Sequence, residues 1–477
     1  MGLLSWMPVI ALRRLRQWLL IQGRRMRPQT MLSRSKKRAV QAAVQAAKHS
    51  EAYRTLLQEK GTGLAHLQHP SGWHSLPVLT KANTFGRFSL SQLSRKMPAS
   101  AVADVLTSSG RGGRSYGFRL TARQQHEEAW FDIDLGLQDI FGVDEKPTLL
   151  VNCLPMGVVF RSRAVAVANV SVREDMACSI LRDVGPAFQQ TLLCTDPLFI
   201  RRLLDEAKEA GVDWQALNTS VIIGEEVLVE TQREYIAARM GIDMDRDPYR
   251  IVGSSFGVGE LGLNLLFETR ETIRIRRAMR TQPTLTGMLC GAVANDALPS
   301  VFCYNPLRTY LEILDEGDDG FGELCITMLD DHAVIALPRY ATGDWARLVS
   351  LSEAAQAAEM AGVVLPWLPM VVVRGRIKDR STGLPSVERI KELLYWNHAV
   401  ADQLTGAFRL AKTKEGGAQL TLQTCSQEAA CLPVLRDQLT QVFASHALEG
   451  LVLELLGPTC FPWRPFLDYE RKFSYMA

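Results

Sequence analysis

LLCTDPLFIRRLLDEAKEAGVD, Leu192–Asp213, joins an apolar strand-like run to an amphipathic helix across a single turn. Thr195 or Asp196 can cap the helix, Pro197 fits its first turn, and Gly211 stops it. Phe199, Leu203 and Leu204 fall on one helical face and predict its buried side. A second strand-like run, SVIIG (Ser220–Gly224), follows closely, and PTLLVNCLP (Pro147–Pro155) precedes it. Strand, helix and strand in alternation predict an α/β fold with a doubly wound parallel sheet.

The texture changes on both sides of this unit. From Ser35 to about Leu57 the chain is helical and alanine-rich, and glycine and proline break the pattern between Gly61 and Pro70. After Gly291 come short β-rich runs, SVFCY, TYLEIL, GELCITML and AVIALPRY (Ala333–Tyr340), separated by Asp and Gly turns. After Arg374 the strands GAFRLA and QLTLQTC precede the helical ACLPVLRDQLTQVFASH, which predicts a small α+β unit at the C-terminus. The expected division is a basic helical extension over 1–60, a large domain over 61–374 that includes a β-rich subdomain, and a small domain over 375–477.

Of the 477 residues, 47% are hydrophobic and 22% charged, ordinary globular values that exclude a disordered or fibrous chain. The net charge of +3 gives no whole-protein argument for nucleic acid as a partner. Nine cysteines show neither C-x-x-C pairs nor zinc-ligand spacing with histidine, so they read as buried free thiols in a reducing, cytoplasmic setting. The N-terminal run MGLLSWMPVIALRRLRQWLLIQGRR has the charge order of a secretory signal reversed and is too short to span a bilayer. Leu12, Leu15 and Leu19 share one face of a basic amphipathic helix; that face either packs on its own domain or makes peripheral membrane contact.

One loop carries an unusual composition. LTSSGRGGRSYGFRLT (Leu106–Thr121) combines four glycines, three arginines and hydroxyl side chains between strand-like flanks. Backbone N–H groups of such a turn can converge on phosphate oxygens, with Ser108, Ser109, Arg111 and Arg114 adding donors and charge. It lacks the G-x-x-x-x-G-K-[ST] order and runs into a strand, which disfavours a P-loop NTPase. On its own residues the loop reads equally as a nucleotide cradle and as a flexible hairpin.

Several segments in order resemble the adenylate-forming ligases. SSGRGGRS (Ser108–Ser115) resembles that superfamily's T-S-G-T-T-G-K-P phosphate loop, SFGVGELG (Ser255–Gly262) its Y-G-x-T-E segment, and LPRYATGDWARL (Leu337–Leu348) its R-Y-x-T-G-D-x-A motif. VVRGRIKDR resembles the arginine-containing hinge before the small C-terminal domain. HSEAYRTLL, LPVLTKANTFGRF (Leu76–Phe88), VIIGEEV, VFCYNP and PSVE are similar to segments of the phenylacetate-CoA ligase and coenzyme F390 synthetase branch. The resemblance runs from roughly residue 35 to residue 400.

The resemblance implies a large α/β adenylation domain with a small mobile α+β C-terminal domain. It also implies ATP- and Mg²⁺-dependent conversion of a carboxylic acid, aryl by branch, into acyl-AMP with loss of pyrophosphate. The acyl group would then pass to a thiol of CoA or of a phosphopantetheinyl acyl carrier protein. Ser108, Ser109, Gly110, Arg111, Gly113 and Arg114 would hold the β- and γ-phosphates. Phe256, followed by Gly257, would stack on adenine, Glu260 would ligate Mg²⁺, and Asp344 would accept hydrogen bonds from the ribose hydroxyls. Arg376 is the hinge-region arginine, Lys378 takes the pivot position, and Lys472 matches the catalytic lysine of the C-terminal domain. Glu226 reads equally as a surface acid and as a substrate-site contact. The sequence departs from the family at Arg111, Gly112 and Arg114, at Gly259, which replaces a hydroxyl residue, and in the shortened segment RSTGLPSVE. Two other readings follow from these departures: transfer of AMP itself to a hydroxyl, as in F390 synthetase, and a catalytically silent nucleotide-binding protein.

Overall fold

The structure, a computed structural model, describes residues 3–68, 72–108, 116–155, 157–291, 296–381, 383–414, 416–426, 432–462 and 473–476. Strands β1 (Val102–Thr107) and β2 (Phe118–Ala122) pair as a separate antiparallel hairpin. Strands β3 (Thr148–Asn152), β4 (Ala166–Asn169), β5 (Gln190–Thr195), β6 (Thr219–Ile223) and β7 (Val252–Val258) are parallel neighbours in the spatial order β4-β3-β5-β6-β7. Side chains alternate across a strand, and here both faces are covered. Leu149, Val151, Leu193 and Val221 enter one core, with the helices Phe199–Glu209 and Glu230–Arg239. Leu150, Leu192 and Cys194 enter the other, with the helix Arg123–Phe141. The doubly wound expectation is met.

The quoted junction folds as its residues dictate. Asp196, rather than Thr195, caps the helix: its Oδ1 accepts from the N–H groups of Leu198 (2.9 Å) and Phe199 (3.1 Å). Gly211 turns the chain with φ +71°.

The chain continues through β8 (Gly262–Phe267), β9 (Ser300–Tyr304), β10 (Thr309–Leu314), β11 (Gly322–Met328), β12 (Tyr340–Leu348) and β13 (Met370–Arg376). These extend the same sheet with antiparallel pairings, in the order β7-β8-β9-β13-β12-β11-β10, to eleven strands. The β-rich region thus joins the parallel half edge to edge through β7. One expected strand is absent: Ala333–Arg339 contains only a single bridge, Ile335 to Ser94, and Arg339 has φ +54°. A left-handed residue interrupts extension, so β12 begins only at Tyr340. On one face of the antiparallel half lies the helix Pro28–His49, whose Ala39, Ala43 and Ala46 are fully buried and let it approach closely. Ser50 separates it from the helix Glu51–Glu59 and accepts from the Tyr53 N–H at 3.2 Å, so the alanine-rich segment is two helices.

Beyond Arg376, β14 (Leu404–Lys412), β15 (Ala418–Thr424) and β16 (Val452–Leu456) form their own three-stranded sheet, backed by the helix Leu432–Ser445. This unit packs on the parallel half: Tyr395, Val400 and Phe408 share a core with Leu198, Tyr235 and Ile236. Thr231 Oγ1 donates to the Glu392 carbonyl (2.7 Å), and Tyr235 OH to Asp402 (2.7 Å). Of the described cysteines none is paired; six are buried, while Cys425 and Cys460 are exposed. No helix among the described residues is long and apolar enough to cross a membrane. The helix Val9–Arg25 lays Leu12, Leu15 and Leu19 against Trp130 and Phe131, so the leucine face packs on its own chain.

Candidate active site

A cavity of about 1650 Å³ opens along the sheet where its parallel half meets its antiparallel half, and both large-domain loops and the C-terminal unit line it. Ser108, Phe256, Gly257, Glu260, Asp344, Arg376, Lys378 and Glu226 all contribute to its wall. The β1–β2 hairpin brings Ser108 to it: the Ser108 N–H donates to the Gly117 carbonyl (2.9 Å), and the Gly117 N–H to Ser108 Oγ (3.0 Å). Residues 109–115, and with them Ser109, Gly110, Arg111, Gly113 and Arg114, lie outside the described residues, as does Lys472.

Glu260 sits on the turn between β7 and β8 and is buried. Two neighbours fix it. Lys81 Nζ lies 2.8 Å from Glu260 Oε1 and donates to Ser108 Oγ at 2.8 Å. The Tyr340 hydroxyl bonds to Glu260, and burial together with that carboxylate pushes the phenol well above its ordinary pKa. The backbone is shaped to this packing. A Cβ on Gly117 would stand 2.1 Å from Glu260 Oε1, and one on Gly259 would stand 2.9 Å from Ser108 Cα. Gly259 stands where the resemblance leads one to expect a hydroxyl residue, and the β1–β2 hairpin comes too close there for a side chain.

Nothing local in the sequence marks Lys81 as a partner of Glu260. The lysine's position depends on Arg339, far along the chain, whose guanidinium donates to the carbonyls of His74 (3.1 Å) and Leu76 (2.7 Å) and pairs with Glu312 (3.3 Å). Backbone bonds from the Leu79 N–H to the Arg339 carbonyl (2.9 Å) and from the Ala341 N–H to the Leu79 carbonyl (2.8 Å) complete the clamp. The arginine and tyrosine of RYATGD thus hold the segment that delivers Lys81 to Glu260.

Asp344 is buried on β12, directly opposite Arg376 on β13. Its N–H donates to Thr342 Oγ1 (3.2 Å), while Gly343, at φ +79°, donates to Glu323 Oε1 (3.0 Å). Burial, with the charges of Asp315 and Asp344 nearby, raises the Glu323 carboxyl. Phe256 is half-buried: one side packs on the core and the rest faces the cavity, so the core and stacking readings both have a place.

Glu226 is no surface acid. Its Oε2 accepts from Lys391 Nζ (2.7 Å) and from the Tyr475 hydroxyl (2.6 Å), both from the C-terminal unit. Neither partner carries a local sequence signal, since each is defined only by the docking of that unit. Gly375, beside Arg376, has φ +106°, and its missing side chain makes room for Glu388, whose carboxyl burial pushes up to about 7.

Among the described residues no group of three metal-ligating side chains occurs. Glu260 still suits Mg²⁺, which characteristically takes one or two carboxylates and completes its shell with substrate phosphates and water. Its Oε1 already faces a cation, Lys81.

Neither a protein-family model nor a curated protein matches the sequence. Solved structures do match: the chain has the fold of the adenylate-forming ligases. The alignment with 2-hydroxyisobutyryl-CoA ligase in the postadenylation state in complex with 2-HIB-AMP covers 94% of this chain and 89% of that one, at 15% identity and a TM-score of 0.66. With the same ligase in complex with 2-HIB-AMP and CoA in the thioesterification state, the coverage is 95% and 90%, the identity 14% and the TM-score 0.53.

Proposed function

We propose that the protein is an ATP-dependent ligase that activates a carboxylic acid as its acyl-AMP and passes the acyl group to a thiol. The observation that carries this reading is the convergence of Ser108, Phe256, Glu260, Asp344 and Arg376 on one cavity within this fold. A carboxylate is a poor acyl donor because oxide would have to leave. Attack on the α-phosphate of ATP replaces that leaving group with AMP and releases pyrophosphate.

Each residue has a matching task. Asp344, as an ionised carboxylate, only accepts hydrogen bonds and so suits the ribose diol. Phe256 offers a face to adenine. Ser108 begins the loop whose N–H groups and arginines bind the triphosphate, and arginine still offers forked phosphate donors. Glu260 holds Mg²⁺, which when bound neutralises phosphate charge. Lys81 lies close enough to keep Glu260 and Ser108 in register. Lys472 would stabilise charge at the α-phosphate, with Arg376 and Lys378 at the junction about which the C-terminal unit turns.

The substrate acid is apolar, a reading supported by the apolar wall of Leu137, Leu154, Val158, Phe160, Ile222 and Leu263, and the branch resemblance makes an aryl acid the first choice. The acceptor is the thiol of CoA or of a carrier-protein phosphopantetheine. The domain division at 60 and 374 belongs to the same reading, as does membership of the phenylacetate-CoA ligase branch.

The test is hydroxylamine trapping with ATP and a panel of acids. Acid-dependent hydroxamate with release of AMP and pyrophosphate supports the ligase. AMP retained on a hydroxyl product without hydroxamate would transfer the assignment to the F390-synthetase type of reaction. ATP binding with no turnover across the panel would leave a silent nucleotide-binding protein.

A further inference from the structure

The leucine face of the N-terminal helix is spent on the protein's own core, yet its opposite face is not a solvated polar surface. Ile10, Arg14, Trp18, Ile21 and Arg25 follow one another at spacings of four, four, three and four residues, which places them on one stripe of the helix Val9–Arg25. All five are exposed: Ile10 at 69%, Trp18 at 56% and Ile21 at 49% of their surface, with Trp6 at 74% just before the helix. Arg14, Arg25 and Arg27 have no ion-pair partner among the described residues. The first fifty residues hold eleven lysines and arginines and no aspartate or glutamate, against a net charge of only +3 for the whole chain.

The helix is held rigidly while it presents this stripe. Arg16, fully buried, donates to Asp144 (3.0 Å from Nε) and lies 3.7 Å from Asp134; Arg24 pairs with Asp139 (2.7 Å). Asp139 also accepts from Trp367 Nε1 (3.1 Å), and Gly23 packs on the Trp367 ring.

We infer that this outer stripe docks the protein on an anionic lipid bilayer. Single apolar side chains separated by arginines do not make the contiguous apolar groove that a partner helix requires. They suit a headgroup layer, where tryptophan and isoleucine enter the acyl boundary and guanidinium groups stay with phosphate. The inference does not depend on the enzymatic reading. It has a consequence for it, because Leu20 on the inner face of the same helix lines the cavity that holds Phe256 and Asp344, so the docked helix stands between bilayer and cavity.

The test is co-sedimentation of the full chain with vesicles of phosphatidylcholine alone and with about one third phosphatidylserine. Binding to the anionic vesicles only, released as ionic strength rises from about 0.05 to 0.5 M, is expected. Each basic residue near such a surface is worth about fivefold in partitioning, so Arg14→Ala with Arg25→Ala should weaken binding about 25-fold. Trp18→Ser with Ile21→Ser should also reduce it. These side chains are exposed, so both variants should keep the native circular dichroism and melting temperature. Absence of binding at low salt, or binding unchanged in both double variants, would overturn the inference. Concentration-dependent self-association, or binding to polyglutamate, that the same variants remove without any vesicle binding would give the face to a protein instead.

Discussion

Gly117→Ala probes the site without replacing a charged residue. The new Cβ would stand 2.1 Å from Glu260 Oε1, 2.2 Å from its Cγ and 2.5 Å from its Cδ. Ordinary contact begins at 3.4 Å, so Oε1 must retreat by about 1.3 Å. Rotating the carboxylate does not suffice, because Cγ clashes as well, and Glu260 is buried beside Lys81 and Tyr340. Overpacking of this kind costs about 1–3 kcal/mol of stability. A misplacement of about 1 Å at a positioning group costs on the order of 100-fold in rate. Three assays read the effects separately: calorimetric titration with ATP and Mg²⁺, where affinity should fall at least about tenfold, adenylation kinetics for the rate, and urea denaturation for the stability. Adding Glu260→Ala should restore the lost stability by removing the clash, while nucleotide binding stays weak. Wild-type ATP affinity in Gly117→Ala would refute the placement of Glu260 at the nucleotide's metal.

Asp344→Ala should weaken ATP binding by at least about 10- to 100-fold, since even one hydrogen bond to a charged group is worth about 1.5–3 kcal/mol; unchanged affinity in the same titration would remove the ribose role. Glu230, Arg233, Glu268 and Arg276 form a fully buried ion cluster beneath β7, with Arg233 2.7 Å from Glu268 and 2.9 Å from Glu230. Arg233→Met should cost about 3–5 kcal/mol in denaturant unfolding because carboxylates are left short of charge, and a loss below about 1 kcal/mol would contradict it. Burial raises Asp196 and Glu392 to about 7, above their unfolded values. Stability from their protonation is present below the unfolded pKa and is lost as pH rises through about 7, so the urea midpoint should fall between pH 6 and pH 8. Glu392→Gln should flatten that dependence, and an equally steep wild-type and variant profile would count against it.

The parts of the structure legible in the sequence are those with local causes. Asp196, Pro197 and Gly211 punctuate a helix through their own chemistry, and the doubly wound half follows from repeating that unit. Phe256, Glu260 and Asp344 stand out as candidates because motif order and chemistry agree, and the fold brings them to one cavity. Lys81, Lys391 and Tyr475 were not, because each acquires its role from a partner far along the chain: Glu260, Glu226 and, for the segment carrying Lys81, Arg339. The β-rich run AVIALPRY misleads because one left-handed residue, Arg339, outweighs the apolar pattern. Glu226 reads equally as a surface acid and as a substrate-site contact until the C-terminal unit is docked over it. The N-terminal helix carries two faces with apolar residues, and periodicity alone does not say which one the core takes.

Acid-dependent exchange of radiolabelled pyrophosphate into ATP tests the central claim most directly, because it reports reversible acyl-AMP formation before any acceptor is chosen. The account predicts exchange with apolar, and especially aryl, acids in the presence of Mg²⁺, abolished in Asp344→Ala. No exchange with any acid by a folded protein that binds ATP would contradict it.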